Sequence, residues 1–195
     1  MVNLLEFYMP VFVIITSLRA EPEKYYDYSV TREYILTRIR QAARDAERSE
    51  LSKIECDAAF YAIVVMLDEV ILCSELSFKK KWRDNLLQSE YFGHSIGGVE
   101  FFNKLNDIIE SKSEAGFIYL VCLILGFKGK YSVSSRDDIN EYISKLRFQY
   151  KLDEIDVLPM CDKDRNKNKL IHNPFIYAIF CVIVYSTLSF FLYIK

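Results

Sequence analysis

Asp68 and Glu69 are the residues best placed to do chemistry in this chain: two adjacent carboxylates near the end of a long apolar stretch. A buried, unpartnered carboxylate is costly, so each must reach solvent, a cation or a backbone donor. Neighbours on a helix project about 100° apart and do not face one bound atom, which makes the pair a poor acid/base couple. Their position near a helix C-terminus is electrostatically unfavourable and points to work other than stability. Three readings stay open: a solvated or structural pair, a protein-docking site, and catalysis or metal binding.

Other candidates are weaker. The stretches Gly93-His94-Ser95-Ile96-Gly97-Gly98 and Gly126-Phe127-Lys128-Gly129-Lys130 look like phosphate cradles, yet neither follows a strand. The first leads into a helix bearing Glu100, which repels phosphate, and the second lacks the hydroxyl after lysine that holds magnesium. Helix caps and tight turns account for both. His94 and His172 are the only histidines, and no serine or cysteine has a base beside it, so a hydrolytic triad has no support. Cys56, Cys73, Cys122, Cys161 and Cys181 are odd in number and lack metal-ligand spacing. They read as free thiols in a reducing compartment, with Cys56, Cys73 and Cys122 as small core hydrophobes. No cofactor or metal is expected. Lys79, Lys80, Lys81 and Arg83 surround Trp82, either as a solvated helix face or as a contact for membrane headgroups or an acidic partner surface.

The elements that must position these residues read as all-α. The composition is 51% hydrophobic and 15% aromatic with six glycines and four prolines, as in a packed protein. A net charge of −2 gives no reason to expect nucleic-acid binding. Residues 7–18 are uncharged and contain Pro10; a buried first helix, kinked or restarted at the proline, fits better than a signal peptide or a second membrane span. From 31 to 48 the set Tyr34, Ile35, Ile39, Ala42, Ala43 and Ala46 makes an amphipathic helix. Ser52 and Glu55 form a capping box opening a helix to about residue 73. Ala58, Ala59, Tyr61, Ala62, Val64, Val65 and Met66 wrap most of its circumference, which places it in the middle of the bundle. A short helix through Leu86 and Leu87 stops at Gly93, and another starts after Gly97 and Gly98 with Val99, Phe102, Leu105, Ile108 and Ile109 as its stripe. Ser113 caps an apolar helix ending at Gly126. Ser135 and Asp138 start a last one, with Ile139, Tyr142, Ile143 and Leu146 on its buried face.

Residues 174–194 are twenty-one positions without a charge, about 30 Å of helix and so about the thickness of a bilayer core. Tyr177 and Tyr193 fall near its two interfaces, and Lys163, Arg165, Lys167 and Lys169 against Asp164 keep the preceding flank cytoplasmic. The expected organisation is a cytoplasmic helical domain at 1–151, a polar, basic juxtamembrane linker at 152–173 and a single transmembrane anchor at 174–194, with membrane lipid as a partner.

The order Leu67-Asp68-Glu69, Trp82, Leu86-Leu87, Tyr91-Phe92-Gly93, Gly97-Gly98 with Phe101-Phe102, and the run from Tyr119 through Gly126-Phe127-Lys128-Gly129-Lys130-Tyr131 resembles the DotU/TssL (IcmH) family. That family supplies an inner-membrane component of type VI secretion systems and of the equivalent position in type IVB systems. The resemblance covers about residues 1–150 and the anchor. It implies two small helix bundles arranged as a hook, hung from one C-terminal helix in the bacterial inner membrane. It also implies a non-catalytic scaffold that pairs with an IcmF/TssM-like protein, docks baseplate components (TssK/TssE-like) and self-associates as a homo-oligomer. Asp68 and Glu69 would lie in a cleft used for those contacts, joined by Trp82 and Glu100 as protein-interaction residues. Gly97, Gly98, Phe101, Phe102, Gly126, Phe127, Gly129 and Tyr131 would form the structural motif. The chain departs from the family at Cys73-Ser74-Glu75-Leu76, where a Trp and a Pro are usual, and at Glu100, one place later than the usual Glu after the paired glycines. It ends at Lys195, without the peptidoglycan-binding domain of many relatives, so no grip on the cell wall is expected. The competing reading is a tail-anchored enzyme acting on lipid or nucleotide at the membrane surface. The choice between type VI and type IVB stays open.

Overall fold

The structure, a computed structural model, describes residues 4–129 and 136–152. No strand occurs among the described residues. The chain forms α1 (Leu4–Ala20), a 3-10 turn (Pro22–Lys24), α2 (Tyr28–Glu47), α3 (Lys53–Leu72), α4 (Lys79–Arg83), α5 (Leu87–Phe92), α6 (Gly97–Ser111), α7 (Gly116–Ile124) and α8 (Arg136–Gln149).

The helix at the centre is α3. The Ser52 hydroxyl accepts the Glu55 N–H at 3.3 Å and the Glu55 carboxylate accepts the Ser52 N–H at 3.2 Å, the reciprocal cap expected from the sequence. Ala59, Tyr61, Ala62, Ile63, Val64, Val65, Met66, Leu67, Val70 and Ile71 are all buried. They fall on every side of the helix, so α3 has no solvent face for most of its length. Helices α1, α2, α4, α5, α6 and α7 all pack on it. Each fully buried Val, Leu or Ile contributes roughly 1.5–3 kcal/mol, which makes this single helix the main apolar investment of the domain.

Along α1, Leu4, Tyr8, Val11, Ile15 and Leu18 recur at three and four and face inward. Helix α2, which packs on α1, buries Ile35, Ile39, Ala42 and Ala46, and alanines at such positions permit close approach of neighbouring helices. The helix runs unbroken through Pro10, so of the kink or restart expected there the restart does not occur. Glu6 and Pro10 are both exposed, so the lost backbone bond falls on the solvent side. No helix among the described residues is long and apolar enough to cross a membrane. The proposed span at 174–194, most of the linker, Ser135 and Tyr131 lie outside the described residues.

Several local expectations are revised. Residues 79–92 form two short helices, because Leu86 is extended (φ −63°, ψ 140°) and interrupts them. On α6 the buried set is Phe101, Phe102, Leu105 and Ile108, while Val99 is exposed, since the helix starts at Gly97 and its register turns Val99 outward. Tyr34 is likewise exposed on α2. Cys73 is not core: it is the C-cap of α3 and is exposed, whereas Cys56 and Cys122 are buried. Ser113 is not the cap of α7; Ala115 holds that position without a side-chain bond.

Candidate functional site

Asp68 lies four residues before the end of α3 and is fully buried. Its Oδ1 accepts the indole N–H of Trp82 at 2.8 Å and the backbone N–H of Leu87 at 3.0 Å; its Oδ2 accepts the N–H of Gln88 at 2.9 Å. Leu87 and Gln88 are the first residues of α5, whose N–H groups have no partner inside the helix. Leu86, at the N-cap, offers no side-chain acceptor, so Asp68 caps α5 from another helix. Gln88 passes the connection on, its Oε1 accepting the N–H of Gly97 at 2.8 Å at the start of α6. A Cβ at Gly97 would lie 2.6 Å from that Oε1 and 2.7 Å from a Val65 methyl, so this position requires glycine for close approach.

Glu69 projects to a different segment. Its two carboxylate oxygens accept the N–H groups of Lys128 and Gly129, each at 2.8 Å, a two-donor backbone nest around an anion. Gly129 has φ +49°, and a Cβ there would lie 2.7 Å from the carbonyl oxygen of Gly98. Gly126 (φ +88°) turns the chain out of α7 into this loop. Arg19 on α1 donates to the Leu125 carbonyl, and its positive charge favours the ionised form of Glu69. Phe127 anchors the same loop through ring contacts with Phe101 at 4.1 Å and Phe102 at 6.2 Å.

Burial pushes both carboxyls above the usual range. For Asp68 the bonds from Gln88, Trp82 and Leu87 pull the other way, as do those from Lys128 and Gly129 for Glu69. Of the three fates open to a buried carboxylate, both residues take the backbone donor, and Asp68 adds the Trp82 indole. Their acceptors point to segments about 40 positions apart in sequence, consistent with side chains about 100° apart on one helix.

Trp82 is fully buried, with the Arg32 guanidinium 4.8 Å from its ring centre and Tyr28 edge-on at 6.1 Å. Lys80, Lys81 and Arg83 are exposed. The basic cluster therefore divides, its aromatic residue turned in and three of its cations turned out. Glu100, half-buried in the first turn of α6, accepts a bond from Asn103 at 3.0 Å. It does not join the acidic pair in any bond. Among the described residues no group of three or more His, Cys, Asp or Glu side chains converges as a metal site.

Sequence reasoning missed Gln88, Arg19, and the second role of Glu55. The remaining oxygen of Glu55 accepts the Glu114 N–H at 3.0 Å and the Ser113 hydroxyl at 3.3 Å. Only local spacing could have pointed to these residues, and their partners are remote in sequence.

A family model for the Type VI secretion system protein DotU matches residues 3–194. No curated protein matches the chain in sequence. Among solved structures, the fold is similar to the cytoplasmic domain of TssL from Acinetobacter baumannii, at 23% identity and a TM-score of 0.69, over 78% of this chain and 99% of that one. TssL from Vibrio cholerae is similar at 19% identity and a TM-score of 0.66, over 76% and 95% of the two chains. SciP/TssL from enteroaggregative Escherichia coli 042 follows at 20% and 0.63, over 75% and 86%. At these identities the structures speak to the fold alone.

Proposed function

Because the chain belongs to the DotU family of type VI secretion system proteins, we propose that it is a non-catalytic scaffold of that system's inner-membrane complex. The observation that carries this reading is the extent of the family match, which takes in the helical domain and the uncharged stretch at 174–194 alike. The family model names the type VI system, which favours it over type IVB. In this reading residues 1–151 are the cytoplasmic domain, two small bundles forming a hook; 152–173 are the linker; and 174–194 cross the bacterial inner membrane once. The partners are an IcmF/TssM-like membrane protein, TssK/TssE-like baseplate components and further copies of the chain.

The acidic pair supports a scaffold over the alternative, an enzyme acting on lipid or nucleotide. Asp68 and Glu69 together already accept five N–H donors of the fold, and such groups hold structure in place. Asp68 and Trp82, both buried, shape the docking surface from beneath by fixing α4 and α5. The half-buried Glu69 and Glu100 border it. Gly97, Gly98, Phe101, Phe102, Gly126, Phe127 and Gly129 keep α6 and the start of the loop after α7 in register with that surface.

The test is co-purification of the tagged full chain from detergent-solubilised membranes of cells that also make the IcmF/TssM-like protein. The chain should stay with the membrane through an alkaline wash and bring that protein with it. Recovery of the intact chain in the soluble fraction, or its purification without the partner, would overturn the proposal.

A further inference from the structure

A groove runs along the N-terminal half of α3 on the side bordered by α5 and α6, with a volume of about 620 Å³. A second cavity of about 270 Å³, reaching toward α1 and α2, shares Asp57, Phe60 and Phe92 with it, so the two are adjacent and together make up a trough. Its walls are apolar and aromatic: Phe60 and Phe92 lie 6.1 Å apart edge to face, Tyr61 and Phe92 4.7 Å. Ile54 stands at the mouth with 81% of its surface exposed. Among the described residues, none of the acidic pair, Trp82 or the loop after α7 lines this trough.

We propose that this trough docks a short amphipathic helix of a partner protein, carrying a lysine or arginine among its apolar residues. The proposal rests on the scaffold reading and names the chemistry of one partner segment. The cation follows from charge. Glu47, Asp57 and Asp107 line the trough, and among the described residues none of them is in an ion pair. The one cation among the described lining residues, Lys104, sits 5.0 Å over the Tyr61 ring. The helix follows from the surroundings. The trough lies between helices whose backbone groups bond internally, so an extended peptide would find no strand edge to pair with, whereas a helix brings its own bonds satisfied and inserts side chains at i, i+3, i+4 and i+7.

Tyr8 and Tyr61, 0% and 4% exposed, also line the trough, and among the described residues their hydroxyls have no hydrogen-bond partner. An anionic membrane is a poor occupant, because like charges repel. A second copy docking by its basic α4 is also poor. The apolar residues there, Phe78 and Trp82, are buried, leaving no anchors to insert.

The test places photoreactive benzoyl-phenylalanine at Ile54, and separately at Ser111 on the opposite lip, in the full chain within cells producing the whole apparatus. The expected result is a crosslink mapped by mass spectrometry to a segment of another protein with apolar residues at helical spacing around a lysine or arginine. Its yield should fall at least tenfold in the Asp57→Lys, Asp107→Lys double variant, both positions being exposed and the helix content unchanged by circular dichroism. Crosslinking to a second copy, to lipid or to an acidic segment, no crosslink from either position, or a yield indifferent to charge reversal would overturn it. Co-purification of the IcmF/TssM-like protein in the same cells separates the two failures. If it persists while the crosslink is absent, only the trough assignment falls.

Discussion

Trp82 donates its indole N–H to the carboxylate of Asp68 at 2.8 Å, and both residues are closed to solvent. Helix α4 is five residues long, too short to hold itself together in water. Its place is set by this bond and by the rings packed around the indole. The same carboxylate caps α5, so one side chain on α3 locates two helices that lack local means of support.

Replacing Asp68 with alanine leaves the Trp82 indole and the N–H groups of Leu87 and Gln88 unpaired in the interior. At about 1–3 kcal/mol for each orphaned donor, the variant should lose at least about 3 kcal/mol in urea unfolding. Trp82→Phe removes one donor and should lose less, about 1–2 kcal/mol. Trp82 is the only tryptophan, so its fluorescence should shift to the red in Asp68→Ala. An unshifted spectrum with native stability would show that Asp68 does not set the position of α4.

Gly129→Ala should loosen the loop after α7 without unfolding the bundle. The new Cβ would require a left-handed φ and lie 2.7 Å from the Gly98 carbonyl, a cost of about 1–3 kcal/mol. Hydrogen exchange at the amides of Lys128 and Gly129 should speed up, because these two donors then lose the Glu69 carboxylate. Exchange at α3 should change little.

Acid stability should depend on Glu55 in one direction and on Asp68 and Glu69 in the other. Burial raises the Glu55 carboxyl, but bonds from Ser52, Glu114 and Ser113 outweigh it and leave it below the usual range. Its contribution is present above the ordinary glutamate value and lost as pH falls through the folded one. Asp68 and Glu69 are raised, so the folded state takes up their protons first, and the stability they withhold near neutrality returns as pH falls below their folded values. Glu55→Gln should therefore flatten the acid limb of a stability profile followed by circular dichroism. Glu69→Gln should remove part of the rise on mild acidification.

Among the described thiols, maleimide at neutral pH should modify Cys73 within minutes and spare Cys56 and Cys122. Cys73 is exposed, while the other two are buried and their thiols are pushed up by desolvation. Peptide mass spectrometry reads the sites directly. Labelling of Cys122 in the native protein would mean that α7 opens.

Helix order and the centre of the bundle were legible because they are written in near-neighbour spacing. The cap at Ser52 and Glu55, the all-round apolar character of α3 and the stop at Gly93 each depend on residues within a few positions. Register failed where two apolar choices competed. Val99 and Phe101 both fit a stripe on α6, and only the packing of Phe101 against Tyr119 and Phe127 decides between them. Cys73 read as core because it follows an apolar run, but a C-cap sits where the helix leaves the interior. For Asp68 and Glu69 the physics narrowed the choices to three partners. The donors at 82, 87, 88, 128 and 129 could not be named, since nothing in the local pattern says which distant amides will arrive.

Glu55 bears on the order in which the chain assembles. One of its oxygens closes the cap with Ser52 as soon as α3 exists, but the other waits for the amide of Glu114, 59 positions later. During synthesis α1, α2 and the start of α3 leave the ribosome well before that amide is made, and closing so long a loop carries an entropic cost that local helix formation does not. The start of α3 is thus finished twice, first by its own turn and then by the arrival of α7, which makes the docking of the C-terminal helices the step that completes the nascent domain.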